Sequence, residues 1–504
     1  MGLLLWIIPL AAIALLALPG SRGFRHAVSL GAAILQAAVA VPLTRAVLMD
    51  GSVRYGWLGG IFYLDPVSIV LLDVMLVISL LTGVYTIGYI EAEIRRGDLQ
   101  PKRVQLLYIL INAFLLTMIL SLTVSNLGVM WIAIEATTLA SVFLVGFHSG
   151  KAAVEAAWKY IIICSVGITI AMLGIIFLHS AAAGVLDESA TLDWPALLAK
   201  ADALDGRVLR LAFLFILIGF GTKAGLAPMH TWLPDAHSQA PSPVSALLSG
   251  VLLNAAMYAI IRTVAIVNKC LGDSRFTGNL LIAAGVLSIA AAAVFILTQK
   301  DYKRLLAYSS IEHMGIVALA IGLFTPASLF AAFFHLLNHS FTKSMLFLAS
   351  GTVLQKYGTR EISKVRGLLR VLPVTGPVFL IGLIAIGGTP PFSIFTSEFN
   401  VLAAAFQNGR LWLGFIVAVL LALVFAGMIH TLFRMFFGRG RSGEEPAGLD
   451  DGTADGATAR PGEENRAGAA ILVMLLIVVV GLGLFLPSWL KNLLEDARRI
   501  IYGG

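Results

Sequence analysis

Glu135, Lys223, Lys343 and Glu398 each sit inside a stretch of sequence that is otherwise apolar enough to cross a membrane. A charge at mid-bilayer costs about 2.5–3.5 kcal/mol on insertion scales, so such residues need partners, water or a task. Two acids and two bases spread along one chain are the parts of a proton path. His335, His339 and Lys343 fall at i, i+4 and i+8 in FFHLLNHSFTKSMLF and share one helical face, drifting roughly 40° per step. Imidazole takes up and releases protons near neutral pH, which suits a relay. His-x-x-x-His is also a zinc-ligand spacing, but no third ligand is evident in the sequence and the stripe ends in Lys. The expectation is a relay, with no metal site and no cofactor site in this chain. Glu312 and His313 add a second acid–base pair.

The elements that position these groups are interrupted helices. Lys223 follows Gly219, Gly221 and Thr222, and Gly225 and Pro228 then break the helix. Gly387, Gly388, Pro390 and Pro391 do the same ahead of Glu398. A broken helix frees backbone carbonyls that need protein or water around them in a membrane, so a hydrated pocket is expected near Lys223. Glu135 has Ala136, Thr137 and Thr138 beside it, small and hydroxyl-bearing neighbours that admit water or close packing. The position of the Glu135 carboxylate relative to Lys223 then sets the proton affinity of the amine. Asp65, just before Pro66, reads as a helix cap, and Asp73 is a weaker candidate.

With 59% hydrophobic and 12% charged residues among 504 and a mean hydropathy of +0.91, the chain is an all-α polytopic membrane protein. Fourteen apolar windows are long enough to span about 30 Å of hydrocarbon: 2–18, 27–48, 64–88, 104–123, 127–147, 159–182, 209–227, 243–266, 278–298, 307–324, 326–352, 371–405, 411–433 and 469–487. The first lacks a basic flank and reads as an anchor and not as a cleaved signal. Cys164 and Cys270 are far apart without a CxxC, so neither a disulfide framework nor an iron–sulfur or zinc site is indicated. The +7 net charge is scattered over short loops and does not make a nucleic-acid surface. It does bias orientation: Lys356, Arg360, Lys364, Arg366 and Arg370 crowd one loop, which the positive-inside rule places in the cytoplasm, with both termini outside.

Residues 438–468, rich in Gly, Ala, Arg, Asp and Glu, read as a flexible cytoplasmic loop. Residues 184–208 form a shorter outer excursion with a surface helix. A faint internal repeat carries more meaning. WIAIEATTLASVFLVGF and LLAYSSIEHMGIVALAIGLF both place Ile-Glu ahead of an apolar run, and each is followed by a Gly/Thr/Pro-punctuated segment, GFGTKAGLAPMHTWLP or IGGTPPFSIFTSEF. Glu135 lies 88 residues before Lys223 and Glu312 lies 86 before Glu398. Matching interrupted helices in two halves point to a transporter built from inverted repeats.

Three blocks carry a resemblance: KAGLAPMHTWLPDAHSQAPSPVSALLSG, DYKRLLAYSSIEHMG and HLLNHSFTKSMLFLASG. They resemble the proton-antiporter domain shared by antiporter-like subunits of complex I, multisubunit cation/proton antiporters and membrane-bound hydrogenases, over roughly residues 60 to 435. The resemblance implies fourteen core helices, two inverted five-helix repeats (about 104–266 and 278–433) and discontinuous helices 7 and 12. The implied segments are an N-terminal three-helix segment (1–100), the antiporter-like core (101–435), the loop (436–468) and a C-terminal helix and tail (469–504). It further implies Glu135 and Lys223 as the coupling pair, His335, His339 and Lys343 as the central relay and Glu398 as the terminal group. Two departures stand out. Asn254 occupies a position where many relatives carry Lys or His, and an amide cannot exchange a proton, although it can hold a water. Glu312 stands where complex I members usually carry Ser. The pair is similar to the F component of hydrogenase-4 and to related group 4 hydrogenase subunits, as is the expected lack of an amphipathic lateral helix and extra anchor after the fourteenth span. The resulting expectation is a non-redox, proton-translocating subunit of the inner membrane, of hydrogenase-4 or formate-hydrogenlyase type, whose partner subunits carry nickel–iron and iron–sulfur centres. The alternatives are a complex I subunit, a multisubunit Na⁺/H⁺ antiporter subunit, or an assembly scaffold.

Overall fold

The computed structural model describes residues 1–437 and 462–503; the loop expected over 436–468 lies mostly outside them. The chain runs through α1 (Gly2–Ala17), α2 (Arg22–Asp50), a hairpin of β1 (Val53–Arg54) and β2 (Tyr63–Leu64), α3 (Pro66–Arg96), α4 (Arg103–Thr123), α5 (Leu127–Val145), α6 (Lys151–Ala182) and the short α7 (Trp194–Ala199). It continues with α8 (Gly206–Ala224), α9 (Trp232–Gln239), α10 (Ser242–Leu247), a π-helical turn at Leu248–Leu252, α11 (Leu253–Leu271), α12 (Arg275–Thr298), α13 (Tyr302–Leu323) and the 32-residue α14 (Pro326–Tyr357). The last elements are α15 (Leu368–Val371), α16 (Thr375–Ile386), α17 (Ser393–Gln407), α18 (Leu411–Leu432), α19 (Arg466–Leu484) and α20 (Ser488–Tyr502).

Every expected span coincides with a helix or a broken helix pair. Among the described residues ten helices are long and apolar enough to cross a membrane by length and composition. The long helices outside that set are α8, which carries Arg207, Arg210 and Lys223, and α14, which carries the His335/His339/Lys343 stripe. The expected breaks are present: α8 ends on Gly225 in the left-handed region (φ +79) before Pro228, and α16 and α17 are separated by Gly388 (φ +71), Pro390 and Pro391. The excursion over 184–208 contains α7, with the Trp194 ring buried.

The tail expected after the last span holds one further helix, the amphipathic α20. Leu490, Leu493, Leu494, Ala497 and Ile501 form its buried face at three- and four-residue spacing. The opposite face carries Lys491, Glu495, Asp496 and Arg499. Its mean hydropathy is too low for a span, so a search for apolar windows passes over it.

Helices that carry the ionisable row are drawn together by glycines. A Cβ on Gly285 of α12 would sit 2.6 Å from the Gly315 carbonyl of α13, and one on Gly315 would sit 2.8 Å from the Gly285 carbonyl. Gly278 and Gly322 face each other in the same way farther along the same two helices. Such small-residue seams let helix backbones meet where hydrophobic collapse supplies no driving force. Gly219 of α8 likewise faces the Gly167 carbonyl of α6 at 2.6 Å. At one end of the bundle, Arg262 of α11 forms a bidentate pair with Asp65 (2.6 and 2.7 Å) between the rings of Trp194 and Tyr258. Asp65 is also the cap of α3, in a reciprocal box with Ser68.

Candidate proton-transfer site

Two clusters of ionisable side chains form the site, one in each half. In the first, Lys223 is fully buried at the end of α8, where the glycine break stops the helix. Its Nζ donates to Thr138 Oγ1 at 2.8 Å and Tyr160 OH at 2.7 Å. Thr138 Oγ1 in turn donates to Glu135 Oε2 at 3.2 Å, and Ser165 Oγ donates to Glu135 Oε1 at 2.9 Å. Lysine and carboxylate are thus joined through a hydroxyl. Ser141 Oγ gives its hydrogen to the Thr137 carbonyl and receives one from Tyr160 OH at 2.6 Å. The phenol therefore meets Lys223 with an oxygen lone pair. Glu135 is only half-buried on α5, beside the exposed Ile132 and Leu139.

In the second cluster, the expected face of α14 holds His335, His339 and Lys343, all fully buried. Lys343 Nζ donates to the Leu306 carbonyl at 2.8 Å and to Ser309 Oγ, and Glu312 lies within its electrostatic reach. His335 meets His313 of α13 and not His339: His313 Nδ1 and His335 Nε2 are 3.0 Å apart. Ser397 Oγ gives its hydrogen to the Ile394 carbonyl at 2.8 Å, so it accepts from His335 Nδ1–H at 2.8 Å. His335 Nε2 is then the lone-pair nitrogen, and His313 Nδ1–H donates to it. Glu398 Oε1 lies 3.7 Å from His313 Nδ1. His339 stands beside His313, ring centroids 5.4 Å apart, with both its nitrogens unpartnered. Gly388 has no room for a side chain, because a Cβ there would collide with the Glu398 carboxylate. Beside Glu398 a cavity of about 260 Å³ is lined by Thr389, Phe395, Phe399 and Phe425.

Asn254 Nδ2 donates to Ser340 Oγ of α14 at 2.7 Å, and its Oδ1 has no partner. Among the described residues no unbroken chain of side-chain hydrogen bonds joins the Lys223 cluster to the Lys343 cluster. The unsatisfied Asn254 oxygen, between hydroxyl-bearing helices, has the character of a water anchor.

Several participants escape a search for charge in apolar windows. Thr138, Tyr160, Ser165, Ser309 and Ser397 are ordinary residues in a sequence, and only their buried partners mark them. His237 of α9 is fully buried, stacked on Phe347 at 5.0 Å, with both nitrogens unpartnered. It lies within electrostatic reach of Lys343 and His339. Lys303 is buried at the start of α13 and donates to the Ala240 carbonyl at 2.8 Å. Both residues stand in the blocks DAHSQAP and DYKRLL, where a second histidine and an edge lysine were the available signals. Lys303 lines a cavity of about 540 Å³ together with Tyr89, His148, Ser238, Thr359 and Arg360. His148, in the turn after α5, is pushed down to about 4 by burial and by the nearby Lys303 charge. It lines that cavity, with its Nε2 3.7 Å from Glu93 Oε1.

The model of the NADH:quinone oxidoreductase/Mrp antiporter transmembrane family matches residues 124–425. The chain belongs to this family. A hydrogenase-4 component F homolog of Methylacidiphilum infernorum (isolate V4) is 39% identical over 389 residues, 77% of this chain and 81% of that one. NADH-quinone oxidoreductase subunit N of Desulforudis audaxviator (strain MP104C) is 28% identical over 489 residues, 96% of this chain and 94% of the relative. A chain of the membrane-bound sulfane sulfur reductase, an archaeal respiratory membrane complex, superposes with a TM-score of 0.84 at 26% identity, covering 99% of this chain and 97% of its own. This antiporter-family protein is therefore a multi-pass membrane protein related to subunits of hydrogenase-4, complex I and Mrp-type complexes. Its matched region contains both ionisable clusters.

Proposed function

We propose that this antiporter-family subunit moves protons across the cytoplasmic membrane as part of a redox-driven complex of hydrogenase-4 or formate-hydrogenlyase type. The observation that carries the reading is the paired arrangement of Glu135–Thr138–Lys223 and Glu312–Lys343–His339–His313–His335–Glu398, ionisable groups buried but for the half-buried Glu135 and gathered around Lys223 and Glu398 at the two helix breaks. Buried charges of this kind are costly to retain without a transport role. Partner subunits supply the nickel–iron and iron–sulfur chemistry; this chain makes and breaks no covalent bonds to substrate. Both termini face outward and the basic loops face the cytoplasm.

In the proposed cycle, a neighbouring subunit acts on the half-exposed Glu135 face. Displacing the carboxylate from Thr138 removes negative charge from the surroundings of Lys223, and the amine releases a proton. Water held at Asn254 and Ser340 passes it toward Lys343. From there the imidazoles of His339, His313 and His335 hand it on by alternating donor and acceptor nitrogens, and Glu398 releases it. The cavity beside Lys303 and His148, on the basic-loop face, recharges the path through His237.

The test is Lys223→Ala in the purified complex reconstituted in vesicles. Donor-driven acidification of the lumen is lost while much of the redox turnover remains. Undiminished acidification in that variant would overturn the reading. The partners of the gently purified complex decide its type: a nickel-binding large subunit is expected, and an NADH-oxidising flavoprotein in its place would assign the chain to complex I.

A further inference from the structure

The junction of α13, α14 and α17 has the geometry of a metal site. His313 Nδ1, His335 Nε2 and a Glu398 oxygen all lie within 4.8 Å of one another. The two edges that include His313 Nδ1 measure 3.0 and 3.7 Å. Tetrahedral zinc with bonds of about 2.0–2.1 Å has ligand–ligand edges of about 3.3–3.4 Å, between those two values. The site also has the outer support that zinc ligands require: Ser397 Oγ holds His335 Nδ1–H and so presents Nε2 as a lone pair. Glu398, 7% exposed, aims an unpartnered Oε1 into the cluster. Its wall of Gly388, Thr389 and Phe395 borders the 260 Å³ cavity. The second carboxylate, Glu312, lies within electrostatic reach of Glu398, so a divalent cation would have two negative charges near it.

We propose that His313, His335 and Glu398 bind a divalent first-row transition metal, Zn²⁺ best of those with tetrahedral preference, with water as fourth ligand, and that the bound ion stops proton movement. Binding leaves the imidazoles neutral. His335 already offers Nε2, and His313 moves its proton from Nδ1 to Nε2, which has no partner in the fold. Glu398 binds as carboxylate. The ion then occupies the lone pairs through which His313 and His335 exchange a proton. Only this blocking effect rests on the proposed proton path; metal binding does not.

The ligand set differs from the one that His-x-x-x-His spacing would choose, and the experiment uses that difference. The purified complex is incubated with zinc sulfate, desalted, and its zinc counted by mass spectrometry and examined at the zinc X-ray absorption edge. One zinc equivalent is expected to disappear in Glu398→Gln and in His313→Gln and to remain in His339→Gln. Ser397→Ala should retain zinc with affinity weaker by about 10–100-fold. The edge spectrum of the wild-type complex, which needs no variant to fold, should show two imidazoles and a carboxylate in the equivalent that Glu398→Gln lacks. Equal zinc in wild type, Glu398→Gln and His313→Gln, or loss in His339→Gln alone, would overturn the site. Zinc bound as expected with donor-driven acidification continuing would leave the site standing and defeat the path through it.

Discussion

At Lys223 the decisive partner is a neutral hydroxyl. Thr138 receives the ammonium and passes its own hydrogen to Glu135, so lysine and carboxylate sense each other through one side chain that a small helix movement can turn aside. Thr138→Val keeps the shape and deletes the link. A hydrogen bond to a charged group is worth about 1.5–3 kcal/mol, so acidification driven by the partner complex is expected to fall at least about tenfold, with Thr138→Ser restoring most of it. A merely structural threonine would give the opposite ranking, because valine conserves its packing. The same logic separates the imidazoles. His335 has its tautomer set by Ser397, whereas His339 has no partner on either nitrogen. A change at Ser397 therefore alters the orientation of His335 while leaving His339 untouched.

The elements hold these residues by close backbone approach and by one buried ion pair. α13 carries Glu312 and His313 and is seated on α12 through facing glycines. Gly315→Leu would drive the helices apart by the width of a side chain. The expected result is a lower unfolding temperature in detergent and loss of acidification, since His313 moves away from His335. Gly184→Ala, at a turn with nothing within 4 Å but a φ of +87, should cost only backbone strain and leave pumping intact. At the end of the bundle, Asp65→Ala would leave the Arg262 guanidinium buried and unpaired, a loss of about 3–5 kcal/mol. Thermal unfolding of the purified chain should show it, and Asp65→Ala with Arg262→Met together should recover much of the loss. Recovery fails if the pair is needed to place α11, in which case the double variant unfolds as early as the single one.

Across the whole molecule, the two clusters sit in different halves, and among the described residues no hydrogen-bonded chain of side chains crosses between them. Long-range coupling then requires a hydrated stretch around Asn254 and Ser340. Asn254→Leu is expected to slow acidification by removing the water anchor, and Asn254→Lys, which puts a protonatable group at that point, to retain it. If leucine left the rate unchanged, the link between halves would run elsewhere. At the C-terminal end, removing α20 exposes the apolar surface of α3 and α14 that Leu490, Leu493 and Leu494 cover, and the expected outcome is loss of the assembled complex on a native gel.

Much of this architecture is legible in the residues themselves. Apolar length gives the spans, glycine and proline give both helix breaks, and the cost of charge in a bilayer singles out Glu135, Lys223, Lys343 and Glu398 before any partner is known. Periodicity also puts His335, His339 and Lys343 on one face. What periodicity cannot reach is which side chain on another helix comes to meet that face. His313 to His335, Thr138 to Lys223, Ser397 behind His335 and Glu398 beside His313 are contacts between residues 22 to 85 positions apart in sequence. Helix packing decides them, because it rests on volumes and backbone approaches that no one-dimensional pattern contains. α20 is too polar for a span; its leucines at three- and four-residue spacing mark an amphipathic helix, and packing decides that they cover α3 and α14.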